Sequence, residues 1–205
     1  MYRLYGSPGS ASTAPHCVLE EVGAPFEFVA VDISGEARDP EYLKLNPHGR
    51  VPTLVFKGRP VFEAAAICAW LADRHPEAGL APANDADDRG TYLQWMMYLT
   101  NTVQERMLQM FYPDRCTSHA DEAPHIAEKA RERIDEAFGV VEKALKADGP
   151  YLLGEKASAA DIYLSMVAGW YEDQDRFAQS FPSIDANRKL LAQRPGMARG
   201  LAANG

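Results

Sequence analysis

The chain has 205 residues, 46% of them hydrophobic and 24% charged, enough apolar material to bury one large core or two small ones. A net charge of -8 opposes nonspecific attraction to nucleic acid or an anionic membrane, so neither is expected as a partner. The apolar runs fall far short of a membrane span, and the opening MYRLYGS lacks the apolar core and cleavage site of a secretory leader; a cytoplasmic protein is expected. In chain order, residues 2 to 5, 26 to 31, 53 to 57 and 60 to 62 read as short strands, with helical patterns at 13 to 22 and 64 to 74 between and after them. The segment 75 to 85, with two prolines and a closing Asn84-Asp85, reads as a linker. Beyond it, apolar positions recur at helical spacing over 86 to 111, 122 to 147 and 159 to 171. The expected architecture is a small α/β unit followed by an all-helical one.

The cysteines Cys17, Cys68 and Cys116 stand about fifty residues apart. Such spacing suggests neither a disulfide framework nor a thiolate metal cluster, and buried free thiols and no metal are expected. Arg188, Lys189, Arg194 and Arg199 form the one basic cluster, at nearly helical spacing, and are expected to be a solvated face.

Four local features carry chemistry. Leu4-Tyr5-Gly6-Ser7-Pro8-Gly9-Ser10-Ala11-Ser12 is a strand running through a glycine and serine loop into a helix start, a geometry in which free backbone N-H groups and the helix dipole favour an anion or thiolate. In Asn46-Pro47-His48-Gly49-Arg50-Val51-Pro52-Thr53, Pro52 immediately precedes a strand, and a cis Val51-Pro52 bond would let Val51 present its backbone to a peptide-like ligand. Glu63-Ala64 opens a helix, where N-H groups can take a carboxylate and Glu63 an ammonium. Ser158-Ala159-Ala160-Asp161 reads as a capping box, a folding signal.

The order and spacing of these motifs resemble those of the cytosolic glutathione transferases over nearly the whole chain. The likeness is closest to the bacterial beta class, whose first motif has the same Pro-Gly-x-x-Ser-x-x-Pro-His frame. The resemblance implies an α/β thioredoxin-like N-terminal domain over 1 to 76, a linker over 77 to 85 and an all-α C-terminal domain over 86 to 205. It also implies a homodimer, glutathione as co-substrate and a small hydrophobic electrophile as acceptor. Glutathione would lie along Ala11, His48, Arg50, Val51 and Pro52, with its γ-glutamyl end at Glu63 and Ala64.

The departures from the family fall on the chemistry. Ala11 stands where the beta class has its loop cysteine, Ala64 lacks the hydroxyl common after the acid, and Gln104-Glu105 falls where that class carries His-Lys. Cys17, inside the first helix, is no substitute and is expected to be buried. A free thiol, with a pKa of about 8.5, must be stabilised as the anion to react near neutral pH. Ser12, slightly favoured, and Ser10 are the candidate donors, with Tyr5 a third; both serines are equally plausible as plain helix caps. The acceptor wall is assigned to Gln104, Met107, Phe111, Tyr112, Arg115 and Trp170, beside Met110 and Tyr171. Two other readings remain open: a noncatalytic ligand or protein binding module on the same scaffold, and a glutathione-dependent thiol lyase or isomerase.

Overall fold

The computed structural model describes residues 1–33 and 39–204. The N-terminal half contains β1 (Tyr2–Gly6), α1 (Thr13–Val22), β2 (Phe26–Ala30), α2 (Pro40–Leu43), β3 (Thr53–Phe56), β4 (Arg59–Phe62) and α3 (Ala64–Arg74). Its sheet has the order β2-β1-β3-β4, with β1 and β2 parallel and the other neighbours antiparallel. A parallel pair needs a crossover, and α1 supplies it. Leu4 and Leu54, register partners on β1 and β3, are wholly buried with Val18 and Leu19 of α1 and Ile67 and Leu71 of α3.

The helical half comprises α4 (Arg89–Tyr98), a π-helical segment (Leu99–Gln104), α5 (Glu105–Phe111), α6 (Ala123–Asp148), α7 (Ala159–Gly169), α8 (Gln174–Ser180), α9 (Pro182–Ala192) and α10 (Pro195–Ala202). Helix α7 is buried from Ala159 to Ala168, including Asp161 at 0% exposure. The capping box expected at its start is present: Ser158 Oγ accepts from the Ala160 amide, and Asp161 Oδ2 accepts from the Ser158 amide at 2.8 Å. Asp161 Oδ1 also accepts from the Leu152 amide at 2.9 Å and from Asn187 Nδ2 at 3.1 Å, so one carboxylate ties α7 to α9 and to the loop before it.

The expected linker is docked onto the helical half: Leu80 is buried and its carbonyl accepts from the Ala159 amide at 2.8 Å. The two halves also meet along α1 and α10. A Cβ on Gly196 would stand 2.7 Å from the Glu21 Cα, and one on Gly200 2.8 Å from the Cys17 Cα, so only glycine permits this approach. Glu21 accepts from Arg194 at 2.5 Å and from the Met197 amide at 2.8 Å; Glu20 accepts from Arg199 at 2.6 Å. The solvated basic face expected from the sequence holds only in part: Lys189 and Arg199 are exposed, but Arg194 and Arg199 also clamp the seam, and Arg188 is half-buried with its pKa lowered by desolvation. The reason is tertiary, since the acids that pair with the arginines lie some 170 residues earlier.

Cys17 and Cys68 are buried as expected, whereas Cys116 is exposed, in the short turn Pro113–Cys116 that leaves α5. Burial pushes the Cys17 thiol up to about 12, which leaves it inert near neutral pH. No helix among the described residues is long and apolar enough to cross a membrane, and no group of three or more metal-ligating side chains is present among them.

Candidate functional site

A cavity of about 1140 Å³ opens between the two halves. Its α/β side is built at strand ends and helix starts. Gly9, Ser10 and Ala11 line it where the chain leaves β1 and enters α1; His48, Gly49, Arg50, Val51 and Pro52 line it before β3; Glu63 and Ala64 line it at the start of α3. Two helix N-termini thus face one space, each with backbone N-H groups that lack an intrahelical acceptor.

The segment before β3 is braced from beneath. Asn46, only 3% exposed, donates through Nδ2 to the Arg50 carbonyl at 2.7 Å and accepts from the His48 amide at 3.1 Å. The Tyr42 hydroxyl donates to the same Arg50 carbonyl at 2.6 Å. The Val51-Pro52 bond is cis, the isomer expected from the sequence. At the start of α3, Glu63 has φ of 73°, a left-handed conformation that is strained for a residue with a Cβ. Such strain is retained where the surrounding fold enforces it, commonly at ligand sites.

The first loop separates the two serines. Ser12 is 0% exposed and does not line the cavity; its hydroxyl turns back to accept from the Ser7 amide and donate to the Ser7 carbonyl, both at 2.9 Å. Ser10 does line the cavity, and its Oγ lies 2.6 Å from both the Ser7 carbonyl and Ser12 Oγ. Two hydroxyl protons serve three short contacts here. Ser12 alone can satisfy the Ser7 carbonyl, so turning the Ser10 proton toward the cavity costs only its contact with Ser12 Oγ.

Tyr5 is also not among the residues that line the cavity; its ring packs on Tyr42 at 5.7 Å and its phenol interacts with Arg3. Met107 is fully buried in the helical core, and Leu108, one position on, lines the cavity in its place. The expectation that Ser12, Tyr5 and Met107 line the cavity is accordingly corrected: Ser12 and Met107 are buried, and Tyr5, half-buried, packs on Tyr42.

On the helical side, Gln104, Phe111, Tyr112, Arg115 and Trp170 face the cavity as expected. The Arg115 guanidinium lies over the Tyr112 ring at 3.8 Å, which fixes both on the shoulder after α5. Trp170 reaches across the cleft, its indole Nε1 donating to the Gly9 carbonyl at 3.0 Å. Residues that sequence reasoning missed on this side include Thr100, Asn101, Leu108 and Tyr163. Tyr163 lies in a continuous apolar run that reads as core, and it is 1% exposed; nothing local marks its hydroxyl as reaching the cavity floor. Asn46, by contrast, stands in the quoted Asn-Pro-His motif.

The sequence matches the glutathione S-transferase N-terminal domain over residues 1–73 and the C-terminal domain over residues 106–195. It is 28% identical to glutathione S-transferase GstA of Escherichia coli O157:H7, the alignment covering 99% of this chain and 98% of that one. The structure of a sphingomonad glutathione S-transferase complexed with glutathione superposes with a TM-score of 0.83 at 33% identity, covering 99% of this chain and 98% of the other. A bacterial beta class enzyme from Sphingomonas chungbukensis gives a TM-score of 0.82 at 32% identity over the same shares. With both domains matched and the likeness running the length of the chain, this protein belongs to the glutathione S-transferase family.

Proposed function

We propose that the protein is a glutathione transferase in which the glutathione thiolate attacks a small hydrophobic electrophile, and that Ser10 and the N-terminus of α1 activate the thiol. The observation that carries this reading is the convergence of the α1 and α3 N-termini on one cavity, with His48 and Arg50 on the segment between them. A tripeptide with two carboxylates, one ammonium and one thiol matches that set. The α3 amides and the cationic side chains suit the carboxylates, Glu63 suits the ammonium, and the α1 start suits a thiolate. Ala11 supplies no thiol, so the loop works through the Ser10 hydroxyl and backbone amides. Glutathione is a bound co-substrate in this reading, with no metal required.

The acceptor occupies the wall formed by Gln104, Leu108, Phe111, Tyr112, Arg115 and Trp170. A homodimer is part of the proposal, supported by Leu93 and Met97, apolar side chains one turn apart on α4 that are 42% and 46% exposed. A cytoplasmic setting and a detoxifying role fit three free cysteines and an adaptable apolar wall. The test is retention on immobilised glutathione together with turnover of a chlorodinitrobenzene-type acceptor. Retention with turnover is expected; retention without turnover would leave a binding protein, and neither would remove the reading.

A further inference from the structure

The helical wall of the cavity contains a hydrogen bond that orients one polar side chain. The buried Tyr163 phenol of α7 donates to Gln104 Oε1, at the end of the π-helical segment. Burial pushes the Tyr163 pKa up, so this hydroxyl stays protonated and remains a donor. A carboxamide offers one acceptor oxygen and two N-H donors. With the Gln104 oxygen engaged from below, its amide nitrogen is the group left for the cavity.

The rest of this wall offers no equivalent. Thr100 donates to the Met96 carbonyl at 3.0 Å and is hydrogen-bonded to Tyr163, Leu108 and Phe111 are apolar, Glu105 is an acceptor, and the donors Asn101, Tyr112 and Arg115 are exposed, Arg115 lying over the Tyr112 ring. A half-buried neutral donor held in place by a buried partner is suited to an oxygen that gains negative charge during reaction.

We propose that Gln104, positioned by Tyr163, donates to the carbonyl oxygen of the electrophile, and that the site therefore takes α,β-unsaturated carbonyl compounds in preference to alkyl halides. This rests on the transferase reading above. In the addition, the glutathione sulfur forms a bond to the β-carbon, the alkene π pair shifts to join the α-carbon and the carbonyl carbon, and the carbonyl π pair moves to the oxygen as an enolate, held by Gln104 N-H. The α-carbon then takes a proton from solvent, replacing the one lost when the thiol ionised; nothing leaves and nothing is oxidised or reduced. In a halide displacement the charge departs with the halide, and a fixed donor set for a carbonyl oxygen helps little.

The experiment compares kcat/KM for cyclohexenone and for benzyl chloride at saturating glutathione in the wild type, Gln104→Leu, Gln104→Glu and Tyr163→Phe. The enone-to-halide ratio is expected to fall about 10- to 100-fold in Gln104→Leu, short of the full effect of a dry oxyanion donor because Gln104 is only half-buried. Gln104→Glu is expected to lower the ratio at least as far, since a carboxylate repels the enolate. Tyr163→Phe should lower it less, with the loss in kcat for the enone and not in its KM. If Tyr163→Phe does not fold, the two Gln104 variants, on the cavity wall, carry the test. Equal losses on both electrophiles would overturn the proposal. A wild type that turns over benzyl chloride but not cyclohexenone would overturn it while leaving the transferase reading in place, and one that conjugates neither and is not retained on glutathione removes both.

Discussion

The two walls of the cavity recognise by different means. On the α/β side, Ser10, Ala11, Val51, Glu63 and Ala64 stand at strand ends and helix starts, where backbone amides and mostly short side chains line the cavity. On the helical side, Gln104, Phe111, Tyr112, Arg115 and Trp170 project long side chains from two separate stretches of chain. A backbone-built wall is as rigid as the sheet behind it and suits one ligand of constant shape. A side-chain wall can be changed residue by residue with the scaffold intact, which suits a ligand whose identity varies.

The largest expected effect tests what holds both walls in place. Asp161→Ala removes the acceptor of the Leu152 and Ser158 amides and of Asn187 Nδ2, all buried, and α7 carries Tyr163 and leads into Trp170. A stability loss of about 3 kcal/mol is expected in denaturant unfolding; a change below 1 kcal/mol would mean that α7 is held by packing alone.

The next effect separates the two serines. Ser10→Ala should raise the pKa of bound glutathione by roughly one to two units and lower turnover at neutral pH, the loss of one charge-assisted hydrogen bond worth about 1.5 to 3 kcal/mol. Ser12→Ala should appear mainly in stability, by about 1 kcal/mol, since its hydroxyl serves only the loop. Ultraviolet titration of the bound thiolate reads the first and thermal unfolding the second. The opposite pattern would return the activating role to Ser12.

Glu63→Gln keeps the size and removes the charge offered to the ligand ammonium. Glu63 is exposed, so the expected loss of glutathione affinity is at the lower end of a charge-assisted bond, about tenfold by calorimetry. Affinity equal to wild type would reduce Glu63 to an ordinary first-turn acid.

Trp170→Phe probes a bond that spans the walls, from the indole to the Gly9 carbonyl. Loss of about 1 kcal/mol should appear as weaker glutathione binding and greater loop mobility, with the aromatic surface retained. Faster amide exchange in the loop 7 to 11 is the measurement, and exchange as slow as wild type would show the tether to be passive.

The smallest effect concerns pH. Desolvation lowers the His16 pKa in the folded protein, where its ring stacks on Phe28 at 5.1 Å and Asn204 lies 3.0 Å from Nδ1. Below about pH 6.5 the unfolded chain binds the proton first, so stability falls as pH falls, and the loss levels off once the folded pKa is passed. The expected loss is under about 1 kcal/mol at pH 6. His16→Gln should remove this part of the pH dependence.

The strands, the helix following each motif, and the Ser158-Asp161 capping box were legible because their signals are local: apolar period, glycine and proline punctuation, and a cap three residues from its partner. The acceptor wall was legible only in part. Residues 86 to 111 read as one helix, but the π-helical segment Leu99–Gln104 alters its winding midway, and residues beyond it no longer keep the phase of a regular helix. Met107 and Leu108 differ by about 100° around the axis, enough to exchange a core position for a cavity one.

By itself, then, the sequence determined the succession of elements and the segments from which the site is drawn, since those depend on neighbours a few residues away. Tertiary structure decided which atom of each segment faces the ligand. Ser10 and Ser12 are the same residue type two positions apart, and only the turn of the loop over Ser7 buries one and leaves the other at the cavity. Arg194 and Arg199 read as an unpaired face; only when α10 packs on α1, where two glycines let the backbones close, do Glu20 and Glu21 come within reach of them. The Tyr163 hydrogen bond to Gln104 joins residues 59 positions apart, a partnership set by how α7 lies against the π-helical segment and by nothing in either stretch alone.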